Sequence, residues 1–475
     1  MANKSVLLLA LAASAAFAAD PLAPSASPAA LPAVEPSARR PVTLVEALKF
    51  AGEKNAQLLS ARAQAKLAEI DASRVWGALL PDINASGSLV HTSAPAELDL
   101  KSFVDLVDGV FLLSPPQAYG GQGIARNDSI LPKATSIVAP NSAYGTLQVT
   151  QSIFTPQLLL LPAAFKARDA AALGADEARE QILLGVARVY FGLVGLRELT
   201  NAARDAETVA LKREKDARNQ MAAGMAVEVA LLRAQAETAQ ARSTLAQLDG
   251  QREALLAMLE ALTGEAIRPT DEPQTLPFDA RPQASEASAV WKETYGVRAA
   301  NKGLEVAETF ASYSRWSWMP SFAAFAKGNY NSNSGFSGKV ASYDLGVAMS
   351  WKLYDRGDRY VELRQNDAKL ADARAKASAA ESNARATWIS ARANLTAAEA
   401  ALVQAQAQAD LAARAQKQVE SAFRAGVSTA LEQSDIDNKR FLAASAAAQA
   451  RATVEIRRVE LAAAEGRLAK LAGIE

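Results

Sequence analysis

The chain contains no cysteine. Disulfides and thiolate chemistry are excluded, and so is a lipid carried on an N-terminal cysteine. His91 is the only histidine, so no metal cluster is expected. The 51 basic and 51 acidic side chains leave a formal charge of zero. No broad electrostatic attraction to nucleic acid follows from that balance. After the first twenty residues, no apolar run approaches the roughly 18–20 residues of a membrane-spanning helix. A membrane-embedded form would have to use strands. Nucleophile–base constellations are also missing. "GFSGKV" at 335–340 lacks the spacing of a phosphate loop, and "RGD" at 356–358 reads as a strand-to-helix turn. No enzyme and no cofactor are expected.

What is present begins with a targeting signal. "MANKSVLLLALAASAAFAAD" carries one lysine, an apolar run and small residues before a cleavage point, so residues 1–19 read as a secretory signal peptide. Residues 20–41, rich in Pro, Ala and Ser, read as an extended linker.

From Val42 one plan is written twice: helix, two strands, a very long helix, a glycine break, a returning helix. The first copy spans 42–264 and the second 284–471, with a Pro- and Asp-rich connector at 265–283. "WGALLPDINASGSL" at 76–89 aligns with "WSWMPSFAAFAKGNY" at 316–330, and "LQVTQSIFTPQ" at 147–157 with "VAMSWKLYDRG" at 347–357. Single-helix runs are expected at 43–80, 157–222, 226–263, 284–319, 357–424 and 428–470. At 1.5 Å per residue the two longest would reach about 100 Å. Within the first of them Ile182, Val186, Val189, Leu193 and Leu196 form a coiled-coil seam. Glycine in a helix interior costs about 1 kcal/mol relative to alanine. Gly224 and Gly426 are therefore read as backbone reversals, one per copy.

Strands are expected at 82–92, 144–154, 321–331 and 342–354. In the last, Tyr343, Leu345, Val347, Met349, Trp351 and Leu353 alternate with Asp344, Gly346, Ala348, Ser350 and Lys352. That period fits an outer-membrane strand, or a small soluble sheet with one wet face. Four strands cannot close a barrel, and open edges do not survive in lipid. Membrane-spanning strands here would require several copies to share one barrel. Residues 96–140 form an insertion between two strands, read as an exposed external loop or a short helix capping the mouth.

The order of these signals resembles the TolC-like outer-membrane efflux protein family. It rests on "VTLVEALKFAGEKNAQL", the junctions at Pro81 and Pro320, "LYDRG" and "FRAGVSTALEQSDIDNKR". The resemblance implies a mostly α fold with a small membrane β-barrel. In a homotrimer, four strands per chain would build a shared twelve-stranded barrel continued by a periplasmic α-helical tube. It implies an outer-membrane exit duct contacting outer-membrane lipid, a periplasmic adaptor (membrane fusion) protein and an inner-membrane pump. The adaptor-docking tips would be Ala223-Gly224-Met225 and Ala425-Gly426-Val427, a looser match to the family's usual Val-Gly-Leu. Acidic side chains six and nine residues beyond the second glycine narrow the pore in that family; here they are Glu432 and Asp435, with Phe423 where a gating tyrosine often stands. Glu432 and Asp435 share a helix face, as ordinary solvated charges also do. A duct for protein secretion, and a non-conducting periplasmic coiled-coil scaffold or surface adhesin, remain as alternatives.

Overall fold

Thr43 opens the first helix because its hydroxyl accepts from the Glu46 N–H, while the Glu46 carboxylate accepts from the Thr43 N–H at 2.9 Å. This computed structural model describes residues 39–77, 79–94, 97–98, 135–136, 139–224, 227–271, 289–333 and 339–474. The signal peptide, almost all of the linker, Met225, and most of the connector and insertion lie outside the described residues. Met1–Arg39 and Arg40–Glu475 are separate units, and the elements below belong to the second.

In chain order these are β1 (Arg40–Val42), α1 (Leu44–Lys54), α2 (Ala56–Gly77), β2 (Asp82–His91), β3 (Glu97–Leu98), β4 (Thr135–Ser136) and β5 (Asn141–Phe154). Then come α3 (Leu161–Ala222), α4 (Glu228–Thr263), β6 (Ile267–Pro269), α5 (Tyr295–Trp316) and β7 (Ser321–Asn331). β8 (Ala341–Ser350), α6 (Asp358–Arg424), α7 (Ala430–Ala464) and α8 (Leu468–Leu471) complete the chain.

The long helices α3 and α6 have 62 and 67 residues, about 90–100 Å each. The return helices α4 and α7 pack along them, and α2 and α5 also lie against α3 and α6 respectively. The seam residues Ile182, Val186, Val189, Leu193 and Leu196 are all buried. The first four join a core with Leu48, Tyr190, Phe191, Leu259 and Val459, while Leu196 packs in a second cluster with Ala203 and Leu248.

Four features depart from the sequence expectation. The strand expected over 342–354 ends at Ser350, and the helix expected over 284–319 is α-helical only over Tyr295–Trp316, after a short 3-10 turn at Val290–Glu293. The helix expected over 43–80 is broken at Asn55, whose buried side chain donates to the Leu262 carbonyl at 2.8 Å and accepts from the Leu58 N–H at 3.0 Å. Those bonds tie it to α4 and cap α2, which replaces the lost helical partners. β1 also pairs in parallel with β6, joining the chain's start to the connector. The Tyr190 hydroxyl donates to the Val42 carbonyl and fastens this pair to α3.

The four long strands form one antiparallel sheet in the order β2-β5-β7-β8. The register sorts the residues by face. Ile83, Val149, Ala326 and Leu345 make one cross-strand row, and Ala85, Leu147, Gly328 and Tyr343 the next. On the opposite face Asn84, Gln148, Lys327 and Asp344 align, with Asn329 donating to Asp344 at 2.9 Å. Gln151, the exception to the alternation, donates from its amide to the Leu79 carbonyl at 3.0 Å. A bulge after Ser152 then sets Phe154 opposite Phe322. Gly346 lacks a side chain where the Phe325 ring covers it; a Cβ there would meet the ring at 2.9 Å.

Leu345 is 72% exposed and Val347 66%, although both lie on the apolar face. Outer edges of β2 and β8 pair with nothing among the described residues. Both facts describe a sheet whose covering and closure come from outside the chain. No described helix is long and apolar enough to cross a membrane. Of the insertion, only the antiparallel β3–β4 pair falls among the described residues.

Candidate functional site

The two helical hairpins end at glycines, as the sequence requires. Gly224 has φ 70° and Gly426 φ 75°, both left-handed. At the second tip the Gly426 N–H donates to the Phe423 carbonyl, and the Val427 N–H to Ala422 at 2.9 Å. This closes the last turn of α6 before the chain reverses. Val427, 82% exposed, projects an apolar side chain at the extreme end. Ala425 and Gly426 beside it are exposed. The first tip likewise exposes Ala223, Gly224 and Val227; Met225 of that tip lies outside the described residues.

Glu432 has a local task at the second tip. Its carboxylate accepts from the Thr429 N–H at 3.0 Å and from the Ser428 hydroxyl at 2.7 Å, completing a capping box for α7. The Thr429 N–H bond first, and the Ser428 bond second, hold its pKa below the usual carboxylate value. The group is exposed, ionised and fixed in direction. Asp435 pairs with Lys439 at 2.7 Å on the same helix. Phe423 is half-buried and lines a cavity of about 630 Å³ between the hairpins, with Arg213, Glu237 and Leu431.

Above the tips lies a cluster that the sequence reading missed. Arg213 of α3 pairs with Glu237 of α4 at 3.2 Å and with Asp437 of α7, and donates to the Gln433 carbonyl at 2.7 Å. Ser434 donates to Glu237 at 2.7 Å, and Gln416 of α6 donates to Asp437 at 2.6 Å. Arg440 donates to the side-chain amide oxygen of Gln416 at 2.7 Å. The Arg213 guanidinium thus ties α3 to α4 and α7, and Gln416 of α6 joins the network through Asp437 and Arg440. A signal existed: Arg213 stands eleven residues before Gly224, and Asp437 eleven after Gly426. Equal distances from equivalent turns place them at equal height. Arg213→Ala should cost about 2 kcal/mol, chiefly by leaving the partly buried Asp437 carboxylate without its cation, since Glu237 keeps Arg233 at 3.7 Å. Thermal unfolding with limited proteolysis at the tips checks this. Unchanged cleavage would mean that the hairpins are held by packing alone.

Residues 293–467, most of the second copy, match the sequence model of the family described as outer membrane efflux protein. No curated protein matches the chain by sequence. Among solved structures, the Campylobacter jejuni CmeC outer membrane channel superposes with TM-score 0.74 at 15% identity, over 90% of this chain and 86% of that one. The Vibrio cholerae outer membrane protein VceC gives 0.71 at 16% identity, over 89% and 96%. The Neisseria gonorrhoeae MtrE outer membrane channel, in its open state, gives 0.70 at 19% identity, over 90% and 89%. The likeness spans both copies and the sheet. The matched family and these structures are outer-membrane proteins and channels, not enzymes.

Proposed function

We propose that this chain, which has the fold of the TolC-like outer-membrane channels, is the outer-membrane exit duct of a tripartite efflux system. The observation that carries the reading is the amphipathic four-stranded sheet, apolar on one face, polar on the other and unpaired at both edges, joined to two long helical hairpins. Unpaired edges are tolerated in water but not in hydrocarbon. Three copies joining β8 of one chain to β2 of the next would close a twelve-stranded barrel with the polar row of Asn84, Gln148, Lys327 and Asp344 inside.

In this reading the helices continue the duct through the periplasm, and the chain performs no chemistry. The Ala-Gly tips, with exposed Val227 and Val427, dock a periplasmic adaptor that connects to an inner-membrane pump. Carboxylates of Glu432 and Asp435, three of each, narrow the pore near its far end beside Phe423. A fixed ring of ionised Glu432 favours cations and disfavours anions there. Lys439 offsets Asp435, so Glu432 is assigned the larger share.

The absence of native cysteine permits a clean test of the shared barrel. Ser86→Cys on β2 is combined in turn with Ser342→Cys, Asp344→Cys or Ala348→Cys on β8. At least one pair should oxidise to a covalent trimer in outer-membrane fractions. A soluble periplasmic protein, or crosslinks that never reach or that exceed three chains, would favour the scaffold reading instead.

A further inference from the structure

A cavity of about 590 Å³ opens where the sheet meets the helices, between the end of α2, the start of β2 and the end of β5. Pro81 separates α2 from β2, and Pro156 opens a single 3-10 turn, Pro156–Leu160, between β5 and α3. Leu80, Leu158, Leu160 and Leu161 give the cavity an apolar wall. The strands supply a polar one: Asp82 and Asn84 from β2, and Gln148, Thr150 and Ser152 from β5. Asp82 pairs with Thr150 and Asn84 with Gln148, so by alternation all five share the polar face of the sheet.

The charge in this cavity is not balanced. Asp82 is the one charged side chain lining it, and no lysine or arginine does so. Asp82 has no ion-pair partner among the described residues; the Asn84 amide donates to its carboxylate at 2.6 Å. Beside it the Gln148 amide donates to the Thr150 hydroxyl at 3.2 Å. Neither amide carries a charge to offset the carboxylate. The volume falls within the range of about 300–1,000 Å³ found for small-molecule pockets. An apolar wall facing one negative charge fits an apolar body that bears one positive charge. In the shared barrel the end of β8 from the next copy would run beside the start of β2. The last residues of β8 on the polar face, Gly346, Ala348 and Ser350, are small, so they would leave the cavity open to the lumen.

We infer that this cavity is a resting site inside the duct for amphiphilic organic cations, with Asp82 holding the charge and the leucines the apolar body. The inference rests on the duct reading above and adds a substrate class to it. The site is separate from the tip carboxylates, because α3 begins at this cavity with Leu161 and ends at the first tip with Ala222. One carboxylate beside a wet lumen holds such a cation weakly enough to release it, as passage requires.

Current block by ethidium, a flat aromatic cation, tests it. The purified full-length protein is inserted into a planar bilayer as Glu432→Ala/Asp435→Ala, so that the tip carboxylates do not compete. Ethidium added on the barrel side should interrupt the current. Tetramethylammonium, the same charge without the apolar body, should not do so at the same concentration. Adding Asp82→Asn should raise the half-blocking ethidium concentration about tenfold, and Leu158→Ala/Leu160→Ala should raise it as well. If neither variant assembles, the contrast between the two cations decides. Equal block by both cations, an unchanged half-blocking concentration with Asp82→Asn, or a conducting protein that ethidium never blocks would overturn the site while leaving the duct. Block that appears only after Lys352→Met would mean that Lys352 of the next copy already pairs with Asp82, and would overturn the site too. No current at all would overturn the duct reading and this inference together.

Discussion

Val347→Pro and Ala348→Pro, made separately, are both expected to abolish the heat-stable oligomer and its insertion into membranes. The ladder geometry of β8 gives the reason. Successive N–H groups along an antiparallel strand point to opposite sides. One of these two therefore faces β7, and the other faces the edge that is unpaired among the described residues. On a true edge strand a proline whose missing N–H faces outward is tolerated. Paired on both sides, β8 has no tolerant position. Each proline then orphans a carbonyl in hydrocarbon, at a cost of several kcal/mol. Val347→Ala and Ala348→Ser serve as matched controls and should assemble. Sedimentation with membranes and unheated gel mobility read the outcome. Normal assembly of either proline variant would mean that β8 remains an edge.

The second large effect concerns Glu180, away from both membrane and tips. Its side chain on α3 is buried, 4% exposed, and accepts from the Ala469 N–H at 3.1 Å where α8 begins. One turn earlier Glu177 accepts from the Gly296 N–H at 2.9 Å near the start of α5. Two carboxylates of the first copy thus fasten two helix starts in the second. Burial, the dominant cause, pushes the Glu180 pKa from 4.5 up to about 7. The folded protein consequently holds this proton more tightly than the unfolded chain does. Stability from that source is fully present below pH 4.5 and is lost as pH rises through about 7. At 1.36 kcal/mol per unit the whole effect is about 3 kcal/mol. The wild-type melting temperature should fall between pH 5 and pH 7.5, and Glu180→Gln should flatten that slope. Glu180→Ala should destabilise by roughly 2–3 kcal/mol near pH 5, because the N–H of Ala469 loses its acceptor in a buried site. The loss should become progressively smaller as pH rises through about 7 and the wild type loses its own contribution. A pH slope unchanged in the glutamine variant would assign the dependence to other groups.

These two sites also show what was legible in the chain and what was not. Strand faces were readable because side chains alternate strictly in an extended chain, so Tyr343, Leu345, Val347 and Met349 declared one surface. The glycine reversals were readable because Gly224 and Gly426 interrupt sequence that otherwise favours helix. β1 and β6 were hidden: "RPV" and "IRP" are too short for a period and each contains proline. Asn55 broke a helix through a bond to Leu262, a residue distant in sequence. Arg213 showed itself only through its spacing from Gly224, since its partners Glu237, Gln433 and Asp437 come from two other helices. Glu432 is the instructive residue. Thr429 followed three residues later by Glu432 is a capping-box signature, yet the family resemblance drew attention to the pore and away from the helix start. One carboxylate can serve both, because the cap fixes where its charge points.

Single-channel current in a planar bilayer tests the central claim most directly, comparing the purified wild type with Glu432→Ala/Asp435→Ala. The duct account predicts discrete, small, cation-preferring steps from the wild type. It predicts larger steps with weaker cation preference from the double variant. Steps of equal size and selectivity in the two would keep the duct and remove the acidic constriction. No current from either protein, once inserted as a trimer, would contradict the duct itself.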